Sequence, residues 1–330
     1  MAAILGNKIK MAIFGQSHAE AIGVVIYGIK AGEKIDTEKL QKFMERRAPG
    51  RDEFSTPRKE ADEVIFVSGL IDGLTCGAPI CAMIKNNNIK KNDYDDLKDI
   101  PRPGHSDFAA FMKFGDDFDS SGGGQFSGRM TAPMCIAGGI AKQLLETKGV
   151  EVSAAIDEIA GFQGDKMYDA MREAKKEEDS VGGIISCLIH GVKPGLGDAM
   201  FDGIEGSIAR GIFGIPAVKG IEFGSGFSGS RLKGSENNDE FISDGDKIIT
   251  KTNKHGGILG GISSGMPISF RVAVKPTPSI GKMQNSVNTK TKENVKMTVR
   301  GRHDPCIVPR AVPVVEAVAA FVIYDMMMSE

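Results

Sequence analysis

Gly69-Leu-Ile-Asp-Gly-Leu-Thr-Cys-Gly-Ala-Pro-Ile80 and Gly257-Ile-Leu-Gly-Gly-Ile-Ser-Ser-Gly-Met-Pro-Ile268 follow one pattern, G-φ-φ-x-G-φ-[ST]-x-G-x-P-I, where φ is apolar. Both run straight into an apolar, β-like segment. Two readings fit this echo. One is a turn-into-strand solution used twice. The other is a duplicated half-domain, its halves related by a pseudo-twofold.

Outward from these strings, short β-like runs recur at Ile9–Phe14, Gly23–Tyr27, Glu63–Val67, Pro79–Ile84, Val150–Ile156, Gly183–Ile189, Val218–Phe223 and Pro267–Val274. Helical signals are fewer. Asp36 is placed to cap a helix carrying Leu40, Phe43, Met44 and Arg47, and Ala132–Thr147 reads as a buried helix. Lys166–Glu178, Asp202–Phe213 and Arg310–Met328 are further candidates. Strands outnumber helices and do not alternate with them, which predicts an α+β fold and not a doubly wound one. No linker is visible, so residues 1–330 read as a single domain with an internal pseudo-repeat.

Composition excludes several classes. Charged residues make up 25% and apolar ones 41%, as in a globular protein, and the net charge of −2 gives no global field for nucleic acid. Without Trp and with four Tyr, an aromatic stacking platform for single strands is not expected. The five cysteines are scattered and never C-x-x-C, so neither zinc nor a disulfide framework is signalled, and a reducing, cytoplasmic setting fits. The N-terminus lacks a leader pattern. The apolar tail Ala311–Met328 contains Pro313, Glu316 and Asp325 and reads as a packed helix, not a membrane span.

Three of the five histidines lie in loop-like strings outside any helical or alternating pattern: Gly15-Gln-Ser-His-Ala-Glu20, Arg102-Pro-Gly-His-Ser-Asp107 and Gly301-Arg-His-Asp-Pro305. A packing histidine usually rides on such a pattern, so His18, His105 and His303 point to chemistry. Imidazole titrates near ~6.5 and suits proton transfer. The two others, His190 at a strand end and His255 in a Gly-rich turn, carry less weight. No H-x3-H or H-E-x-x-H spacing occurs, so no metal site is expected.

Basic strings suggest an anion. Arg46-Arg-Ala-Pro-Gly-Arg51 ends the first helix; it reads either as C-terminal capping by cations or as guanidinium forks for phosphate and carboxylate. Arg102, Arg129 and Arg302 add weight to the second reading. Gly122-Gly-Gly-Gln-Phe-Ser-Gly-Arg-Met-Thr131 leads into a helix and could cradle phosphate, but Arg129-Met130 stands where a P-loop requires Lys-Ser/Thr, which disfavours a nucleoside triphosphate. Gly224-Ser-Gly-Phe-Ser-Gly229 matches G-x-G-x-x-G without the helix a dinucleotide needs. Lys275-Pro-Thr-Pro-Ser279 is a stiff strand exit that could offer three donors to one side.

Taken together, these strings resemble the chorismate synthase family, from Gly6 to Met326. They are G-Q-S-H-A, R-R-A-P-G-R, S-G-L-I-D-G-L-T-C-G-A-P-I, R-P-G-H-S-D, G-G-G-Q-F-S-G-R-M-T-A, I-P-A-V-K-G-I-E-F-G, G-G-I-L-G-G-I-S-S-G, K-P-T-P-S-I and G-R-H-D-P, in the family's order. The resemblance implies a β-α-β sandwich, a homotetramer, and 1,4-anti elimination of phosphate from 5-enolpyruvylshikimate 3-phosphate to give chorismate. That is the final step of the shikimate pathway. It uses reduced FMN without net redox change, with NADPH entering only as an external reductant. It further implies His18 at the leaving phosphate, His105 beside the flavin and Asp304 assisting proton removal at C6 through the flavin N5. Flavin contacts would come from Gln125, Phe126, Ser127, Pro216, Ala217, Gly260, Lys275, Pro276, Thr277, Pro278, Ser279 and Arg302. Arg47, Arg51 and Arg129 would hold substrate anions. Gln125-Phe126 replaces the family's more usual Arg-Ser and removes one positive charge.

Overall fold

A computed structural model describes residues 3–50, 54, 62–86, 99–119, 121–299 and 304–329. The first half contributes β1 (Lys10–Phe14), β2 (Ala21–Tyr27), α1 (Thr37–Glu45), β3 (Ile65–Ser68), β4 (Ile80–Lys85), α2 (Asp107–Phe114) and α3 (Thr131–Glu146). The second contributes β5 (Glu151–Ile159), α4 (Lys166–Lys176), β6 (Gly183–His190), α5 (Ile204–Ile212), β7 (Val218–Phe223), β8 (Ile268–Val274) and α6 (Val308–Ser329). Short hairpins fill several connections.

The two sheets share one plan. In the first, antiparallel neighbours run β1-β2-β4-β3, with Ile4–Leu5 added beside β1. In the second they run β5-β6-β8-β7, also antiparallel. Helices α1 and α5 occupy matching places between the second and third strands of each half. α3 and α6 follow the fourth.

The echoed strings are matched hairpins. Leu70–Ile71 pairs with Leu74–Thr75 before β4, and Ile258–Leu259 pairs with Ile262–Ser263 before β8. Positive φ falls at the same points, including Asp72 at 51° and its counterpart Gly260 at 62°. The hydroxyls match as well. Thr75 Oγ1 donates to Lys30 O and accepts from Glu33 N, while Ser263 Oγ donates to Lys193 O and accepts from Leu196 N. The chain therefore repeats the same β-β-α-β-hairpin-β-α arrangement, and the α+β, β-α-β sandwich expected from the sequence is the observed architecture.

The repeat dictates the middle layer. α3 packs on the first sheet, α6 on the second, and the two helices pack on each other. The approach is close enough that a Cβ at Gly138 would lie 2.1 Å from Ala317 O. Ile136, Ile140, Leu144, Val315, Phe321 and Ile323 are buried between the layers, where shedding water from such side chains contributes about 1.5–3 kcal/mol each. α6 is long and apolar enough to cross a membrane, yet 83% of its most apolar window is buried inside the protein. Its charges are all engaged. Asp325 accepts three backbone N–H bonds from Asn7, Lys8 and Ile9 at 2.8 Å, and Glu316 pairs with Arg46 and Lys142.

Candidate active site

α3 and α6 begin at one cavity of about 830 Å³. Both halves line it at corresponding points: the exits of β4 and β8, the ends of α1 and α5, and the starts of α3 and α6. Two long helices thus present N-terminal dipole ends to the same space, which favours an anion there.

His18 and His105 meet the Gly122–Gly123 turn. Both glycines have positive φ. A Cβ on Gly122 would fall 2.0 Å from His18 Cε1, and one on Gly123 would lie 3.3 Å from His105 Nε2. The turn needs glycine both for its dihedrals and for the room it leaves two imidazoles. It is tied down by Ser17 N donating to Gly124 O at 3.1 Å. The Gly-rich string read as a phosphate cradle is thus also the seat of both catalytic candidates.

His105 is fixed by its own string. Its Nδ1 lies 2.5 Å from Asp107 Oδ1, and Arg102 grips the same carboxylate through Nε at 2.7 Å and Nη2 at 2.8 Å. Burial pushes the Asp107 carboxyl up, but hydrogen bonds from Arg102 and His105 outweigh it and hold the group well below the usual carboxylate range. Arg102 also donates to Ser279 Oγ at 3.1 Å, and Lys275 Nζ donates to Gly104 O. The R-P-G-H-S-D and K-P-T-P-S strings, distant in sequence, form one clasp.

The basic string at the end of α1 splits. Arg46 pairs with Glu316 of α6 and does not cap α1 through its side chain, whereas Arg47 is buried and lines the cavity. Asp62 takes Arg47 through Oδ2 and Arg129 through Oδ1. Arg129 Nε also donates to Asn86 Oδ1 at 3.1 Å, and Asn86 Nδ2 donates to Ala19 O at 2.7 Å. Burial lowers the Arg47 guanidinium to about 10; Asp62 opposes the shift, and the like charges of Arg310 and Arg129 add to it. Across the wall, Arg310 Nη1 donates to Asp304 Oδ2 at 2.6 Å and Arg310 Nε to Arg47 O at 3.0 Å.

Of the residues singled out by sequence, His18, His105, Asp304, Gln125, Phe126, Ser127, Pro216, Ala217, Lys275, Thr277, Pro278, Ser279, Arg47 and Arg129 all line this cavity. Pro276 and Gly260 are not among its lining residues. Pro276 sits beside Gly182, and Gly260 forms the tip of the second echoed hairpin. Arg51, Arg302 and His303 lie outside the described residues. Phe126 joins an aromatic row, its ring centroid 5.9 Å from that of Phe118. Sequence reasoning missed Asp62, Asp107 and Arg310 as site residues. Asp107 was visible within its string, and Arg310 stands six residues from its partner Asp304; Asp62 meets Arg129 across 67 residues, which no local pattern reveals.

Gly224–Gly229 itself contains a single helical turn, Gly226–Gly229, that the sequence did not announce. Glu222 Oε2 already accepts from Phe227 N there at 3.0 Å, so a carboxylate occupies the place a pyrophosphate would need. His255 Nδ1 is held by Asp239 at 2.8 Å.

The wall has one observation that bears on a flavin. Thr277 Oγ1 is buried at the cavity and has no hydrogen-bond partner among the described residues. Beside it lie Lys275 and the stiff prolines, giving a donor-bearing rim, and Phe126 lines the same cavity. The donor set fits a flavin with its phosphate-bearing tail.

Fold and site together define an enzyme for a small molecule, with a cavity lined by imidazole and guanidinium groups. The family model described as chorismate synthase matches residues 9–328, and the chain belongs to that family. A chorismate synthase of Dehalococcoides mccartyi strain BAV1 is 44% identical over 347 residues, covering 98% of this chain and 95% of the relative. One of Korarchaeum cryptofilum is 43% identical over 351 residues, with 98% and 97% covered. A crystal structure of a chorismate synthase superposes with a TM-score of 0.75 at 24% identity, covering 98% of this chain and 93% of that one, and agrees in fold.

Proposed function

We propose that the chain converts 5-enolpyruvylshikimate 3-phosphate to chorismate and phosphate, as a carbon–oxygen lyase at the last step of the shikimate pathway. The observation that carries this reading is the convergence of His18, His105, Arg47 and Arg129 on one cavity at the starts of two long helices. In the overall change the C–O bond at C3 breaks with its electron pair leaving on phosphate, a proton is lost from C6, and a double bond forms. No electrons are gained or lost overall.

Reduced FMN would be held by Gln125–Ser127, Pro216–Ala217 and Lys275–Ser279, with Thr277 Oγ1 a ready donor; when bound, it supplies electron density to the substrate and is returned unchanged. Arg47 and Arg129 bind anionic oxygens of the substrate. His18, in its protonated form, donates to the leaving phosphate. His105 is oriented by Asp107 so that Nδ1 is engaged and Nε2 faces the Gly123 turn, where it holds a proton beside the flavin site. Asp304, anchored by Arg310, assists removal of the C6 proton. NADPH serves as an external reductant for the flavin. The chain works in the cytoplasm as a homotetramer; large exposed apolar side chains such as Met200 and Phe201, 87% and 93% exposed, support a subunit interface.

The test is direct. Full-length protein with FMN and dithionite should gain thermal stability, and addition of the substrate should release phosphate. Absence of both stabilisation and phosphate release would overturn the reading.

A further inference from the structure

Asp62 does not line the cavity but holds two arginines that do, and the proposed chemistry gives it no role. Its carboxylate is fully buried, its backbone sits at φ 48°, and it bridges two cavity arginines. A left-handed backbone is strained for a residue with a Cβ and persists where surrounding contacts enforce it. Here Gln41 Nε2 donates to Asp62 O at 3.4 Å, and Gln41 Oε1 accepts from Val64 N at 3.2 Å, so α1, which leads directly into Arg47, also fixes the turn that carries Asp62.

We infer that Asp62 is a positioning residue that acts as the resident counter-anion of the substrate site. It holds Arg47 and Arg129 side by side and cancels one of their two positive charges, so that the wall binds the phosphate ester firmly and still lets inorganic phosphate leave. This rests on the reading of the cavity as the phosphate-binding site.

The charge arithmetic is simple. Arg47 and Arg129 bring two positive charges and Asp62 one negative, leaving one positive charge on this part of the wall. Both guanidiniums touch Asp62 and both residues line the cavity. An incoming oxyanion is therefore attracted by two cations and repelled by one carboxylate behind them. Removing that carboxylate should strengthen anion binding by roughly ten-fold, the scale of one charge–charge interaction through partly screened protein. The same removal traps the product. A merely structural Asp62 predicts the opposite, because loosened arginines would bind every anion less well.

The experiment is calorimetric titration of inorganic phosphate into the full chain, in wild type, Asp62→Asn, Arg129→Gln and the double variant, with KM and kcat measured on each. Asp62→Asn should bind phosphate roughly ten-fold more tightly, with a lower KM and a lower kcat. Arg129→Gln should bind phosphate more weakly. The double variant restores the net charge of the wall, should survive folding if Asp62→Asn alone does not, and should regain the affinity that Arg129→Gln lost. If Asp62→Asn binds phosphate no more tightly, or the double variant binds no better than Arg129→Gln, the inference is overturned while the site reading stands. If wild type itself binds no phosphate, the site reading fails and takes this inference with it.

Discussion

Asp107 Oδ1 stands 2.5 Å from Nδ1 of His105, with Arg102 clamped on the same carboxylate. The pair fixes which ring nitrogen faces the cavity, because an engaged Nδ1 leaves Nε2 toward the Gly123 turn. Asp107→Asn keeps the shape but can present its amide donor to Nδ1 and so favour the wrong tautomer. Turnover should fall by roughly 10²-fold, within the usual worth of a positioned acid–base group, and thermal stability should also drop because the nearly buried Arg102 loses its carboxylate partner. His105→Ala and His18→Ala should each lose roughly 10²–10⁴. Steady-state kinetics under saturating reduced FMN checks all three, and near-native turnover of the two alanine variants would contradict the assignments.

The glycine turn makes a sharper demand. Gly122→Ala introduces a Cβ 2.0 Å from His18 Cε1 at a φ of 58°. His18 must move. The expected result is a turnover loss approaching that of His18→Ala, with an unfolding free energy reduced by about 1–2 kcal/mol. Gly128→Ala, where a Cβ would meet nothing within 4 Å, is the control for the same loop.

Arg47 sets an alkaline limit. Burial brings its guanidinium down to about 10, so it is charged below that pH and loses its proton above it. Anion binding should be full at neutral pH and weaken as pH rises through about 10, by up to about ten-fold per pH unit for one lost proton. The sign for stability is the reverse. The unfolded chain holds this proton more tightly than the folded one, so between about 10 and the ordinary arginine range this group's contribution to stability rises with pH. Phosphate affinity measured from pH 8.5 to roughly 11 should show the limb in wild type and in Lys275→Met alike.

Glu316 sets the acid limit of the fold. Its carboxylate receives Arg46 through two bonds at 2.8 Å, Lys142 at 2.9 Å and the backbone N–H of Ala154 at 3.1 Å. Burial pushes its carboxyl up, but Arg46 and Lys142 outweigh that and hold it below the usual range. Its contribution is present above the ordinary glutamate value of ~4.3 and is lost as pH falls through the lower folded value. Glu316→Gln should cost about 2–4 kcal/mol in urea unfolding, toward the low side for a broken buried pair because Arg46 is 39% exposed.

Much of this fold was legible because its signals are local. Val218–Phe223 is a strand over the same residues that the sequence suggested, Asp36 accepts from Lys39 N as an N-cap, and the echoed glycine strings fold into matched hairpins. The site was legible only in pieces. Arg102 reaches Ser279 across 177 residues, Lys275 reaches Gly104 across 171, and Arg129 reaches Asp62 across 67. No periodicity encodes such pairs; the first two join the two duplicated halves, and the third joins distant parts of the first half. The same long-range packing explains why Arg46 and Arg47, adjacent in sequence, serve a structural carboxylate and the cavity respectively.

The central claim is that this cavity eliminates phosphate with no net redox change. It is tested most directly by an anaerobic assay of the full-length protein with limiting reduced FMN and excess 5-enolpyruvylshikimate 3-phosphate, following chorismate and phosphate together. The account predicts equal amounts of the two products, many turnovers per flavin, and flavin still reduced at the end. Product capped at one equivalent of flavin, flavin oxidised in step with product, or phosphate released without chorismate would contradict it.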